Sequence, residues 1–162
     1  GYKKIAHITS SPHLSITKER LEGYKDALLK HKIPVNEALI KYCPHGGMIV
    51  EEIEEAVNDL FKAKTKPDAI FTAGDRITTV CFGVLKRMKQ KKEVGFTGFT
   101  NTGVGDLFSP SLTVIRQPAF EIGQTAIEYL IGLIESKRPV TEFQTKVLET
   151  ELIIRESSIK KV

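Results

Sequence analysis

Residues Lys66-Pro67-Asp68-Ala69-Ile70-Phe71-Thr72-Ala73-Gly74-Asp75, followed by Val94-Gly95-Phe96-Thr97-Gly98-Phe99, decide the fold. Ala69 to Ala73 is apolar without alternation, the pattern of a strand buried on both faces of a parallel sheet. Gly74-Asp75 turns the chain. Ile77, Val80, Cys81, Val84, Leu85 and Met88 then recur at helical spacing, and residues 94–99 supply the next strand. Strand, helix, strand in this order is a parallel crossover unit.

The same alternation continues outward in both directions. Toward the N-terminus, Ile5 to Thr9 reads as a strand closed by Ser10-Ser11-Pro12. A helix follows through Glu19-Arg20-Leu21 to about Lys30, with Ser15 or Thr17 placed to cap it and Leu21, Tyr24, Ala27 and Leu28 on its buried face. Ala38 to Cys43 is a second strand, and Ile49, Ile53, Ala56, Val57, Leu60 and Phe61 mark a second helix.

Toward the C-terminus, a loop rich in Gly, Asn, Ser and Pro spans Asn101 to Ser111, and Leu112 to Gln117 is a short strand. Pro118 opens a fourth helix, a place where its missing N–H costs nothing. That helix is expected to bury Ile122, Ala126, Ile127, Leu130, Leu133 and Ile134. After Lys137-Arg138-Pro139, a last strand is expected over roughly Thr145 to Arg155. The whole predicts an α/β, three-layer α-β-α, doubly wound domain with a mostly parallel sheet.

Composition narrows the function. The 162 residues contain 24 Lys+Arg against 20 Asp+Glu, a formal charge of +4, too mild to imply nucleic-acid binding alone. The basic segment Lys86, Arg87, Lys89, Lys91, Lys92 follows a helix C-terminus, where cations complement the dipole. Two cysteines, Cys43 and Cys81, fit a reducing compartment, and no apolar run reaches membrane-span length. The chain opens at Gly1 without an initiator methionine, which reads as a cut from something longer.

Several chemistries fail on sequence. There is no Gly-Lys-Ser/Thr phosphate loop and no Gly-x-Ser-x-Gly elbow, and Gly103-Val104-Gly105 lacks the third glycine of a dinucleotide turn. Cys43 lies near His45, a thin basis for metal binding, and His7 within the first strand reads as a packed or interface residue rather than a ligand. No cofactor and no metal are expected.

Ligands of doubly wound sheets sit beyond the carboxyl ends of the strands. That rule selects Ser11, Asp75, Thr100, Asn101 and Gln117, with Arg20 early in the first helix. Arg20 is either an ordinary surface arginine or a planar donor fork for hydroxyls or carboxylates. Asn101 either shapes its turn or joins Gln117 in bonding vicinal hydroxyls. Asp75 reads first as a cap for the third helix.

Four stretches in register resemble the second lobe of the effector domain in regulators of the lactose/galactose repressor family. They are Gly1 to Ile8 with Arg20-Leu21-Glu22-Gly23-Tyr24; Pro67 to Asp75; Val94 to Asn101; and Ser109 to Pro118 with Glu121-Ile122-Gly123 and Ala126. The resemblance implies a cytoplasmic homodimeric transcription regulator. It would have a two-lobed effector domain like that of periplasmic sugar-binding proteins, and a helix-turn-helix DNA reader absent from this chain. It also implies that a small molecule, a sugar or sugar derivative, binds between the lobes, that there is no catalysis and that there is no membrane contact.

Within that resemblance Arg20 matches the effector-binding arginine, Gln117 a lobe-crossing glutamine and Asp75 the aspartate of an Asn-Asp pair. Gly74 stands where asparagine is usual, and Thr100 where an acid often holds sugar hydroxyls. Val80, Leu107 and an exposed Phe108 fall where the lobes pair across a dimer. Residues 1–117 would be the C-terminal lobe. Residues 118–144 would pack on the missing first lobe, and 145–162 would return as strand and tail. Two alternatives stand beside this reading: an extracytoplasmic sugar-binding protein of the same fold, and a small α/β sugar-phosphate enzyme with Asp75 as its one available base.

Overall fold

The computed structural model describes residues 1–88, 94–136 and 144–160. Within them, strands β1 (Ile5–Thr9), β2 (Ile40–Tyr42), β3 (Ala69–Thr72), β4 (Gly95–Phe99), β5 (Thr113–Arg116) and β6 (Glu151–Ile153) form one sheet in the order β2-β1-β3-β4-β5-β6. Every pairing is parallel except β5 with β6. The helices are α1 (Ser15–Lys30), α2 (Val50–Lys62), α3 (Asp75–Arg87) and α4 (Ala119–Glu135). The α/β order and the mostly parallel sheet are those expected. Lys89, Lys91, Lys92 and the Lys137-Arg138-Pro139 break lie outside the described residues.

The two faces of the sheet are covered unequally. Ala6, Ile8, Ile70, Phe96 and Val114 point into the larger core, where they meet Ile53, Val57 and Leu60 of α2 and Ile77, Cys81 and Phe82 of α3. The opposite face holds a smaller core under α1, built from Tyr24, Leu28, Ile33 and Ile40 with Ile5 and Phe71 against them. The alternation along β1 explains the split: Ala6 and Ile8 face one side, Ile5 and His7 the other.

His7 lies in the smaller core, fully buried and stacked between Tyr24 (ring centroids 4.8 Å apart) and Phe71 (5.1 Å). This fits the packed role read from sequence. Among the described residues, neither ring nitrogen has a partner in full hydrogen-bond geometry. Burial pushes its pKa down from 6.5 to about 4, and the Phe71 backbone opposes that shift only in part. The imidazole is therefore neutral in the fold, and the unfolded chain binds a proton that the folded chain refuses. Stability from this site is complete above the unfolded pKa and drains away as pH falls from 6.5 toward 4. The loss across that window is about 3 kcal/mol at 1.36 kcal/mol per pKa unit. Urea unfolding at pH 7 and pH 4.5 should show a steeper acid loss for the parent chain than for His7→Phe.

Three local expectations are corrected. Neither Ser15 nor Thr17 caps α1: the helix begins at Ser15 after Leu14, without a side-chain cap, and Thr17 is buried. Ala27 sits exposed rather than on the buried face. The last strand is short, since only Glu151–Ile153 pairs with β5 and residues 144–150 lie outside the sheet.

No residue of α4 is buried. Ile122, Ile127, Leu130, Leu133 and Ile134, all expected in a core, are exposed, Ile134 to 73%. The register explains how this arises. Arg116 at the end of β5 pairs with Glu151 at the start of β6, so the chain leaves and re-enters the sheet at one edge. α4 and residues 144–150 lie between these two crossings, outside the sheet. None of the described helices is long and apolar enough to cross a membrane.

Candidate functional site

Strand order reverses between β1 and β3: the chain leaves β1 toward β2, then crosses back to place β3 on the other side. Such a switch point opens a crevice at the strand ends. Arg20, in the second turn of α1, reaches into this crevice. Its Nη1 donates to the carbonyl oxygen of Ala73 at 2.9 Å, and its Nη2 donates to Oε1 of Gln117 at 3.2 Å. The guanidinium lies over the Phe99 ring, 4.0 Å from its centroid. One side chain thus ties together the ends of β3, β4 and β5.

Arg20 is half-buried and makes no ion pair among the described residues. Burial lowers its pKa from the ordinary arginine value, opposed by Glu19, but a group this basic remains charged. A cation held by carbonyl oxygens and a ring face is oriented but not neutralised, and its remaining donors are unspent.

Asn101 and Asp75 complete the network by holding other parts in place. Asn101 exchanges two hydrogen bonds with the Gln117 backbone: its Nδ2 donates to the Gln117 carbonyl at 3.0 Å, and its Oδ1 accepts from the Gln117 N–H at 2.9 Å. Its amide is consumed in fixing Gln117, whose side chain meets Arg20. Asp75 does not cap α3. It is the first residue of that helix, and its Oδ1 accepts from the Asn101 N–H at 3.1 Å. An acid so engaged is a brace for the β4 end rather than a free base.

Two of the selected residues stand apart. Thr100 is buried, and its hydroxyl accepts from the Thr102 N–H at 3.1 Å, so it presents nothing to the crevice. Ser11 is turned to its own loop, accepting from the His13 N–H at 3.5 Å. Phe108 is not the exposed ring expected: it is half-buried, edge-on to Phe82 at 5.3 Å. Val80 is also half-buried, while Leu107 is 83% exposed.

Phe99 and the Ala73 carbonyl escaped the sequence reading. The signal for Phe99 was its place one residue beyond Gly98, on the face of β4 opposite the α3 core. Among the described residues no group of three or more His, Cys, Asp or Glu could hold a metal ion.

A doubly wound lobe with a positioned guanidinium at its switch point belongs to the class of α/β small-molecule-binding lobes. A model of the periplasmic binding protein-like domain matches residues 1–158. The chain belongs to that family, in the form carried by LacI-type regulators. The ribose operon repressor of Haemophilus influenzae is 29% identical over 162 residues, covering 97% of this chain and 46% of that protein. The HTH-type regulator RegA of Clostridium acetobutylicum is 35% identical over 136 residues, covering 83% of this chain and 39% of its own. Among solved structures, a complex of the regulator CelR with cellobiose superposes with a TM-score of 0.81 at 28% identity, covering 97% of this chain and 47% of that one. The chain spans less than half the length of these relatives.

Proposed function

We propose that this chain is the C-terminal part of the effector-binding domain of a LacI-type transcription regulator. Arg20 and Gln117 contact the effector, while Asn101 and Asp75 position them. The carrying observation is the Arg20 guanidinium, aimed across the switch point, stacked on Phe99 and, among the described residues, without an acidic partner. A planar fork beside a carboxamide suits a ligand rich in hydroxyls. The relatives named for ribose and cellobiose favour a sugar or sugar derivative.

On this reading residues 1–117 form one lobe, 118–144 pack on a companion lobe and 145–162 return. The bare apolar face of α4 and the paired crossings at Arg116 and Glu151 support that division. The effector binds between the lobes and shifts their closure because it prefers one arrangement. The regulator works in the cytoplasm as a homodimer, with Leu107 and the α3 face around Val80 and Phe108 toward the partner. DNA is read by a helix-turn-helix domain outside these residues. A binding role, not catalysis, fits the polar set at the strand ends and the transcription regulators that the chain resembles.

Thermal-shift screening of the regulator carrying this lobe against sugars and sugar phosphates tests the proposal. At least one should raise the melting temperature, and that rise should vanish with Arg20→Ala.

A further inference from the structure

Charge in this chain is segregated along the strand direction. β1 to β5 run parallel, so their starts lie at the pole opposite the Arg20 crevice. α2 returns the chain from the end of β2 to the start of β3. It carries Glu51 and Glu52 in its first turn and Lys62 in its last. Lys64 and Lys66 follow on the way into β3, and Lys3 and Lys4 lead into its neighbour β1. Lys160 of the tail joins them, its Nζ donating to the Gly1 carbonyl at 3.3 Å. All six lysines are exposed, and none forms an ion pair among the described residues.

Asp68 fastens the two main segments together. Its carboxylate accepts from the Lys3 N–H at 3.0 Å and the Lys4 N–H at 2.8 Å, and its own N–H donates to the Lys4 carbonyl at 2.9 Å. The one acid in segments 1–4 and 62–68 is therefore turned to backbone donors rather than to any ammonium group. A helix dipole accounts for Lys62 alone, because its field fades beyond the last turn. Lys3, Lys4, Lys64 and Lys66 stand outside the helices.

We propose that this pole binds the phosphate backbone of duplex DNA without reading its sequence. The composition of the surface decides the class of partner. Protein interfaces centre on apolar anchors and are depleted in lysine, whereas segments 1–4 and 62–68 expose no large apolar side chain. Phosphate backbones are held by cations alone. Single strands are held on aromatic platforms, but the Tyr2 ring is already covered. Lys160 Nζ lies 5.7 Å from its centroid, and a Cβ at Gly95 would lie 2.5 Å from its Cζ. A duplex presents one charge per about 1.7 Å of its axis, a dense target for six exposed ammonium groups. The contact uses no residue of the candidate effector site and is separate from the helix-turn-helix reader.

Fluorescence anisotropy of a labelled duplex of roughly 20 base pairs, titrated with the 162-residue chain, tests the proposal. The expected Kd is on the order of 10 µM at about 50 mM salt, and shuffling the base sequence should leave it unchanged. The logarithm of the affinity should fall with the logarithm of salt at a slope of about −3.6, the value for about four neutralised phosphates. Lys64→Glu together with Lys66→Glu should weaken binding about 100-fold. Lys18→Glu together with Lys146→Glu makes the same change in net charge at exposed positions elsewhere, and should cost less than about threefold. Circular dichroism checks that both variants fold. Three results would each overturn the proposal: no binding at the lower salt, equal losses in the two double variants, or displacement of the duplex by polyglutamate at a lower concentration of charge. The last would assign the pole to an acidic protein instead.

Discussion

Gly98→Ala is expected to destabilise the chain by about 3 kcal/mol or more and to lower its melting temperature by roughly 10 °C. A Cβ built at Gly98 would lie 1.9 Å from the Thr72 Oγ1, 2.5 Å from the Thr78 Oγ1 and 2.8 Å from the Thr72 carbonyl oxygen. None of these atoms can give way cheaply. The two hydroxyls are buried and bonded to each other at 2.8 Å. Thr78 Oγ1 also lies within hydrogen-bond reach of the carbonyls of Gly74 (2.7 Å) and Phe99 (2.8 Å), which its single proton can serve only in turn. Moving either threonine breaks these buried hydroxyl bonds, at about 1–3 kcal/mol each. These bonds fasten the start of α3 to the end of β4, so the strain would also displace Phe99 from beneath Arg20. Thermal melts of the two chains check the stability, and Thr78→Val, which removes the proton without adding bulk, should show a smaller loss.

Arg20→Ala is expected to weaken effector binding by about 100-fold, equivalent to nearly 3 kcal/mol. One or two charge-assisted hydrogen bonds to a hydroxyl or anionic oxygen account for that amount. The truncation also frees Gln117, whose side chain loses its Arg20 contact while Asn101 still holds its backbone. Arg20→Lys should recover little, because an ammonium cannot serve Ala73, Gln117 and a ligand from one plane while lying over Phe99. Calorimetry on the regulator with a ligand found by screening measures all three affinities. Melting temperatures without ligand should move far less than the affinities, which separates lost contact from lost fold.

The order of strands and helices along the chain, and much of the core, were legible in the sequence wherever a signal was local and periodic. The unbroken apolar run at 69–73 gave β3, and the helical spacing at 77–88 gave α3. Arg20 and Gln117 could be selected because strand ends are themselves local features. What the sequence hid was set by partners distant in the chain. Asp75 has the profile of a cap, but the Asn101 N–H, delivered by β4, claims it. Asn101 has the chemistry of a sugar ligand, yet the Gln117 backbone uses both ends of its amide. Thr100 occupies the position of a ligand-facing acid but points inward. For α4, periodicity identifies the apolar stripe and says nothing of what covers it. The alternation from Thr145 onward suggested a long strand, but β5 ends at Arg116 and offers no further backbone to pair with.

Nuclear magnetic resonance on the isotope-labelled chain, titrated with the sugars and sugar phosphates that stabilise the regulator, tests the central assignment most directly. It reads weak binding, as expected of a single lobe, residue by residue. The account predicts that the largest shifts fall on the Arg20 guanidinium, the Gln117 side-chain amide and the backbone of Phe99 and Asn101, and that they fade in Arg20→Ala. Shifts centred on another surface, with these groups unmoved, would contradict it.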